Sequence, residues 1–521
     1  MFDMTVGDLL LRAARLYPGK VATWYEGRSQ TFAEFHADVR DYQSYLSRSG
    51  LARGDRVAVL SRNNPELLKL MFAASLGGYV FVPINFRLTA KEIAFVVADS
   101  GASLVFADRF FLDTARSAVA TVPAFSAERL VELNGDLSSS VLSSSMRGPV
   151  GSTPSSPVAG EDVFGIYYTS GTTGNPKGVV LSHRNMVAGV LNHTIAYGLG
   201  PADVCLHIMP LYHTMEASMA LCQFFVGGSN VIEDHFDQER FWSLVDAYGI
   251  THVTAVFTML SGMLACAPAP GAGSGSSLRT ISLGGQAVPV ELLKEAVRQL
   301  GNDRLIQVYG LTEASPLVTW LPREEIRLDS GRVHRLGSVG KDLFLTTTRV
   351  IDDAGNDVGV DEVGEIIVAG PNVMQGYWKR EEETASTLKG GWLHTGDVGR
   401  RDANGFLYIV DRKKDLIISG GENISPREIE EVLFAHPRVL ECSVFGIPDA
   451  RWGEAVGAAV RAEGELGEQE LITYCAQSLG KYKIPRKVWF LDELPKDPVG
   501  KIQKRLLRAR LADEGTGRGK A

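Results

Sequence analysis

Short runs of β-branched and aromatic residues alternate along this chain with stretches whose apolar residues recur at helical spacing. That alternation constrains the fold more than any single motif. Arg56–Leu60 (RVAVL), Leu104–Ala107 (LVFA), Phe164–Tyr168 (FGIYY) and His252–Val256 (HVTAV) read as strands. Glu291–Leu300 (ELLKEAVRQL) has the apolar spacing of a helix. Strands that alternate with helices bury their sheets beneath them, which gives α/β layers with partly parallel sheets. From Gly364 onward the texture changes. GEIIVAG, FLYIVDR and DLIISG are closely spaced strands joined by turns such as Asp402–Gly405 (DANG), a smaller antiparallel section. At roughly 150 residues per domain, 521 residues allow three or four domains or subdomains. Hydrophobic content of 45% and charged content of 22% suit a chain with a large buried core.

A net charge of −8 gives no general attraction to nucleic acid, and no basic stripe offsets it. The N-terminus carries Asp3 and Asp8 where a signal peptide needs a basic start and an apolar run. The apolar stretch Leu70–Ile84 is broken by glycines and a proline and falls short of the ~20 residues a membrane helix requires. Five cysteines (205, 222, 266, 442 and 475) are scattered and never in CxxC spacing, as buried apolar thiols in a reducing cytoplasm would be.

A charged cluster, Asp411–Asp415 (DRKKD), precedes GGENISPREIEE. Ser425 can cap a helix there, Pro426 fits its first position, and Glu428 completes a capping box. A boundary near Lys413–Lys414 therefore divides a large N-terminal unit, 1–413, from a small α+β unit, 414–521. Leu137–Pro157 and Ala267–Ser277 are rich in Ser, Gly and Pro and are expected to be flexible surface segments.

Between the strand ending at Tyr168 and the helical Arg184–Leu191 lies TSGTTGNPKG, residues 169–178. Its glycines let backbone N–H groups approach an anion, its hydroxyls add donors, and Lys177 adds a cation. On composition alone it is a turn or a phosphate loop. It is not GxxxxGK[ST], because Pro176 stands five residues after Gly171 and Gly178 follows the lysine. No GxGxxG follows a strand, so a dinucleotide-binding Rossmann site is unsupported.

The loop resembles the signature of the adenylate-forming superfamily, which includes acyl-CoA synthetases, peptide-synthetase adenylation domains and luciferases. Further matches follow in the family's order. Pro210–His213 (PLYH) is similar to its PLFH segment, Gly284–Ala287 (GGQA) to its adenine strand, and Tyr309–Glu313 (YGLTE) to YGxTE. Thr395–Asp397 matches TGD, Asp411–Asp415 with Gly420–Asn423 resembles the hinge and following strand, and Leu494–Lys496 with Gly500–Ile502 resembles LPK…GK. Each string is weak alone; six in order span nearly the whole chain.

The resemblance implies a carboxylate attacking the α-phosphate of ATP, a reaction that needs charge neutralisation and alignment rather than a protein nucleophile. It implies that Thr169, Ser170, Gly171, Thr172, Thr173, Gly174 and Lys177 cradle the outer phosphates. Gly285, Gln286, Ala287 and Tyr309 would hold the adenine, Thr312 the α-phosphate, and Asp397 with Arg412 the ribose. Glu313 would bind Mg²⁺, a hard cation suited to carboxylate and phosphate oxygens. Lys501 would stabilise charge in the adenylation step, Lys414 would be the hinge of a mobile C-terminal lid, and Gly420 and Gly421 would line the path of a thiol. His213 would stand where acid and thiol meet, as a base, an orienting group or a gate.

The same resemblance places the acid against His213, Phe257, Gly284, Gly310 and Leu311. Phe257 departs from the family's VPxx pattern, either reshaping that wall or merely filling space. No single charge calls for a dicarboxylic acid, so a medium-chain aliphatic or aromatic acid fits. The implied enzyme is an AMP-forming acid–thiol ligase using ATP, Mg²⁺ and coenzyme A. Alternatives keep the adenylation and change the acceptor to the phosphopantetheine of a carrier protein or to an amine, or change the acid to another small oxyanion. A catalytically inactive nucleotide-binding protein on the same fold is a different class, and acid-dependent ATP–pyrophosphate exchange separates it. No carrier domain or attachment serine follows Lys501 before Ala521, so a stand-alone enzyme is expected, with a homodimer as one arrangement known in the family.

Overall fold

The computed structural model describes residues 3–123, 125–133, 157–169, 176–268, 274–286, 288–328, 331–412, 415–419, 422–449, 451–496 and 502–515. Two large sheets form the scaffold. A nine-stranded sheet has parallel strands Val204–His207, Ser229–Ile232, His252–Ala255, Thr280–Leu283 and Leu305–Gly310 at its centre, with antiparallel strands at both edges. A seven-stranded sheet runs, edge to edge, Gly376–Tyr377, Lys177–Ser182, Val163–Thr169, Val80–Ile84, Arg56–Leu60, Ala102–Asp108 and Leu130–Leu133.

Side chains alternate across each strand, so one strand feeds two cores. Val57, Val59 and Phe81 point into the core shared by both sheets, whereas Ala58, Leu60 and Val82 point to the outer one. The shared core holds helices Val6–Leu16, Phe32–Arg48, Pro65–Gly77, His183–Tyr197 and Thr214–Val226. Outer helices, including Ala90–Ser100 on one sheet and Val290–Leu300 on the other, cover the far faces. The result is helix–sheet–helix–sheet–helix layering. Each fully buried Phe or Leu in it contributes about 1.5–3 kcal/mol.

The buried helices carry polar groups that are satisfied internally. Lys69 is 1% exposed, and its ammonium meets Glu66 and Asp38, each at 2.7 Å. Burial pushes this lysine down, but the two carboxylates more than offset it and hold it above the ordinary lysine range. Tyr42 donates to the other Glu66 oxygen at 2.6 Å.

Residues 347–412 contribute an antiparallel sheet of Thr347–Ile351, Val363–Ala369, Trp392–Arg401, Leu388–Lys389 and Leu407–Arg412, as the strand texture after Gly364 indicates. A fourth sheet, with strands Ile417–Ser419, Glu422–Ile424, Val439–Asp449, Gly453–Ala462 and Lys487–Phe490, packs its own core of Ile417, Ile429, Leu433, Val444, Val456 and Leu471. Cys205, Cys222, Cys442 and Cys475 are buried free thiols, and Cys266 is half-buried. Among the described residues no helix is long and apolar enough to cross a membrane.

The helix expected at Arg184–Leu191 is present within His183–Tyr197, where Ser182 and Asn185 form a reciprocal cap. Before it stands a strand that the sequence reading lacks, Lys177–Ser182, antiparallel to Val163–Thr169 with Thr169 opposite Lys177. One local expectation is corrected, at Pro426–Phe434. Pro426 does occupy the first turn, but Ser425 donates its hydroxyl to the Val410 carbonyl and Glu428 pairs with Lys483, so no capping box forms. Leu137–Pro157 lies outside the described residues except for Pro157, as does the middle of Ala267–Ser277.

Candidate active site

The YGLTE segment leaves the end of a central parallel strand, where open α/β sheets present ligand sites. Leu305–Gly310 ends at a bend that needs glycine, because a Cβ on Gly310 would stand 1.9 Å from the Pro316 carbonyl oxygen. Leu311 N–H donates to that same oxygen at 2.8 Å. A single helical turn, Thr312–Ala314, follows, and Ser315 is left-handed at φ 51°. Buried Asn372 pins the turn, donating to Ala314 O at 2.8 Å and Leu317 O at 3.2 Å. Thr312 and Glu313 are thus presented on a tightly specified bend.

The TGD segment is built with equal economy. Thr395 donates its hydroxyl to Ile366 O at 2.6 Å and accepts from Asp397 N–H at 3.0 Å. Gly396 between them has φ +69°, a left-handed conformation suited to glycine. The turn aims the buried Asp397 carboxylate at two partners. Tyr309 donates its hydroxyl to one oxygen at 2.7 Å, and Arg412 Nε lies 3.0 Å from the other. Arg412 stands opposite Asp397 on the neighbouring strand, so sheet register makes this pair. Burial, with Asp397 adding to it, holds the Tyr309 hydroxyl far above the ordinary tyrosine range, so it stays a donor.

Lys177 begins the hairpin's second strand. Its ammonium pairs with Glu383 and lies 5.3 Å from the centre of the Tyr377 ring. Tyr377 in turn donates to Glu313 Oε1 at 2.9 Å. The lysine and the carboxylate singled out from the sequence are therefore linked through one tyrosine.

His213 caps the helix Thr214–Val226 after the PLYH segment. Asn63 fixes that segment, accepting from Leu211 N–H and donating to Met209 O, both at 2.8 Å. Burial, aided by the Arg87 cation, pushes the His213 imidazole down to about 4, so it is neutral at pH 7. Its Nε2 is buried without a hydrogen-bond partner, as is Gln286 Nε2. Gly284 lies against Val308, with Met215 beyond, and Gly285 has φ +81°. Phe257 is 7% exposed and belongs to the outer core of the nine-stranded sheet, its ring 6.3 Å from Phe434. Leu311 packs at the edge of the shared core.

The structure thus joins Tyr309, Asp397 and Arg412 directly, and Lys177 to Glu313 through Tyr377. Ser170, Gly171, Thr172, Thr173, Gly174, Ala287, Lys414, Gly420, Gly421 and Lys501 lie outside the described residues. Tyr377 and Glu383 escaped the sequence reading. Tyr377 is 64 residues from Glu313, and no local spacing marks either residue. Among the described residues no group of three or more His, Cys, Asp or Glu side chains could hold a metal. A lone carboxylate such as Glu313 fits Mg²⁺ that arrives on phosphate oxygens and keeps several waters.

The family model for AMP-binding enzymes matches residues 10–378, and that for the AMP-binding enzyme C-terminal domain matches 428–501. The chain is 38% identical over 515 residues to a feruloyl-CoA synthase of Amycolatopsis sp, covering 98% of this chain and 100% of that protein. It is 34% identical over 507 residues to a 2-succinylbenzoate–CoA ligase of Bacillus cereus, covering 97% of this chain and 98% of that protein. Among solved structures, the o-succinylbenzoate CoA synthetase of Bacillus subtilis with its acyl-adenylate intermediate matches at TM-score 0.86 and 31% identity, covering 98% of each chain. The same enzyme with ATP and a magnesium ion matches at TM-score 0.85 and 31% identity, covering 98% of this chain and 100% of that one.

Proposed function

This chain belongs to the AMP-binding enzymes, and on that premise we propose that it is an ATP-dependent, AMP-forming ligase joining an aromatic carboxylic acid to coenzyme A. In the first half-reaction a carboxylate oxygen of the acid bonds to the α-phosphorus of ATP. The bond from that phosphorus to the bridging oxygen breaks, and pyrophosphate leaves. In the second, the thiol sulfur bonds to the acyl carbon, AMP leaves with the carboxylate oxygen, and the thiol proton passes to solvent.

The observation that carries this reading is the Tyr309–Asp397–Arg412 constellation. A buried carboxylate anchored on a ring and a guanidinium is suited to two adjacent hydroxyls, as a ribose offers. The Tyr309 ring beside it gives a face for the base. Thr312 and Glu313, on the next turn, would meet the α-phosphate and Mg²⁺, whose chemistry is to neutralise phosphate charge and align the leaving group. Lys177 would meet the outer phosphates, exchanging Glu383 for them. Lys501 would supply the remaining positive charge in the adenylation step.

His213 is better suited to orienting than to removing a proton, because a group titrating near 4 is a weak base at pH 7. Its orphan Nε2 and that of Gln286 favour a substrate with polar groups of its own. Val308 and Met215 beside Gly284 make that wall apolar, which favours a ring. The small-molecule partners of this reading are the acid, ATP and coenzyme A. Homodimer formation, supported by the family resemblance, and a cytoplasmic location, supported by the free thiols of Cys205, Cys222, Cys266, Cys442 and Cys475, remain part of the proposal.

The test is acid-dependent ATP–pyrophosphate exchange across aliphatic and aromatic acids. Exchange with aromatic acids is expected. Exchange with none of them would remove the ligase reading, and exchange confined to aliphatic acids would remove its substrate class.

A further inference from the structure

Tyr377 lies on a two-residue strand, Gly376–Tyr377, that extends the seven-stranded sheet beyond Lys177–Ser182. Its backbone is held on every side. It stands opposite Val179, its N–H donates to Thr384 Oγ1 at 2.9 Å, and Trp378 N–H next to it donates to Gly178 O at 2.8 Å. Gly376 allows the close approach to Thr384, because a Cβ there would stand 2.6 Å from Thr384 Cγ2. The side chain therefore projects from a fixed point between the hairpin and the Thr312–Ala314 turn. The same segment also holds that turn, through Met374 N–H to Glu313 O at 2.8 Å.

The hydroxyl donates to Glu313 Oε1 at 2.9 Å and also meets the Thr387 side chain, and the ring face lies beneath the Lys177 ammonium at 5.3 Å. A neutral donor is the right partner for a carboxylate that must keep its charge for a cation. It takes one lone pair, fixes the rotamer and leaves the remaining lone pairs free. Resting on the reading that Glu313 carries Mg²⁺, we propose that Tyr377 is a positioning residue for adenylation, its hydroxyl setting the Glu313 carboxylate for the divalent cation and its ring setting Lys177 for the triphosphate.

Tyr377→Phe keeps the ring beneath Lys177 and removes the hydroxyl's bond to Glu313, together with its contact to the Thr387 side chain. ATP–pyrophosphate exchange is measured against free Mg²⁺ for the parent enzyme, Tyr377→Phe and Glu313→Gln, with the thermal midpoint of each. Tyr377→Phe should raise the half-saturating Mg²⁺ by about tenfold, the scale of one hydrogen bond to a charged group. Its KM for the acid, its thermal midpoint and its thioester formation from preformed acyl-adenylate should stay at the parent values. Glu313→Gln should raise the Mg²⁺ requirement further. An unchanged Mg²⁺ requirement in Tyr377→Phe beside a shifted one in Glu313→Gln overturns the role of Tyr377 alone. An unchanged requirement in Glu313→Gln shows that this carboxylate does not hold the cation and overturns both assignments. A lowered thermal midpoint in Tyr377→Phe with parental Mg²⁺ dependence makes the tyrosine structural and also overturns the proposal.

Discussion

Asp397→Asn is the substitution that bears most directly on nucleotide binding. The carboxylate is 4% exposed and takes Tyr309 on one oxygen at 2.7 Å and Arg412 on the other at 3.0 Å. Each oxygen has two lone pairs, so each can accept a ribose hydroxyl without giving up its protein partner. Asparagine keeps one acceptor oxygen and turns an NH₂ donor toward either Tyr309 or Arg412, both of which are donors themselves. One charge-assisted hydrogen bond to ribose is lost, worth about 1.5–3 kcal/mol. At 1.4 kcal/mol per decade, the KM for ATP should rise roughly 10- to 150-fold. The assay is ATP–pyrophosphate exchange at saturating acid and Mg²⁺ with ATP varied, then at saturating ATP with the acid varied. The KM for the acid should move by less than the KM for ATP. A folded Asp397→Asn enzyme whose ATP KM stays within about twofold of the parent would refute the ribose assignment, as would a rise confined to the acid.

Gly310→Ala puts a methyl group 1.9 Å from the Pro316 carbonyl oxygen, so the Thr312–Ala314 turn must shift. Overpacking of this kind costs about 1–3 kcal/mol, and both thermal midpoint and exchange rate should fall; a parental midpoint and rate would contradict the packing argument. Lys501→Ala should abolish most adenylate formation while sparing thioester formation from preformed acyl-adenylate, and equal loss of both half-reactions would remove its assignment. Burial holds His183, His193 and His213 down at about 4 against an ordinary 6.5. The unfolded chain then binds more protons than the folded one between those values, so stability is fully present above pH 6.5 and is lost as pH falls toward 4. The thermal midpoint should decline across that window, and a flat midpoint down to pH 5 would show that these imidazoles are not held neutral.

The layering was legible because strands such as Arg56–Leu60 carry continuous apolar runs, here Val57–Leu60, as buried parallel strands do. Lys177–Ser182 escaped because KGVVLS directly follows a glycine-rich loop and merges into the helix that starts at His183. The capping box at Ser425 failed for a tertiary reason: Val410 O and Lys483 draw off Ser425 and Glu428. At the site, YGLTE and TGD were legible as strings, whereas the contact that unites them, Tyr309 to Asp397, spans 88 residues and joins two different sheets. Tyr377 is a single tyrosine with no partner at a recognisable spacing, and only the folded hairpin brings it to Glu313 and Lys177. The depression of His213 was equally hidden, since it comes from burial and from Arg87, far away in sequence.

The central claim is that acid, ATP and a thiol are joined with release of AMP. The protein is incubated with ATP, Mg²⁺, coenzyme A and one aromatic acid at a time, with nucleotides resolved by chromatography and thioesters by mass spectrometry. AMP and the acyl-CoA of the added acid should appear in equal amounts, and neither without the acid. ADP in place of AMP, or AMP with no thioester for any acid, would contradict it.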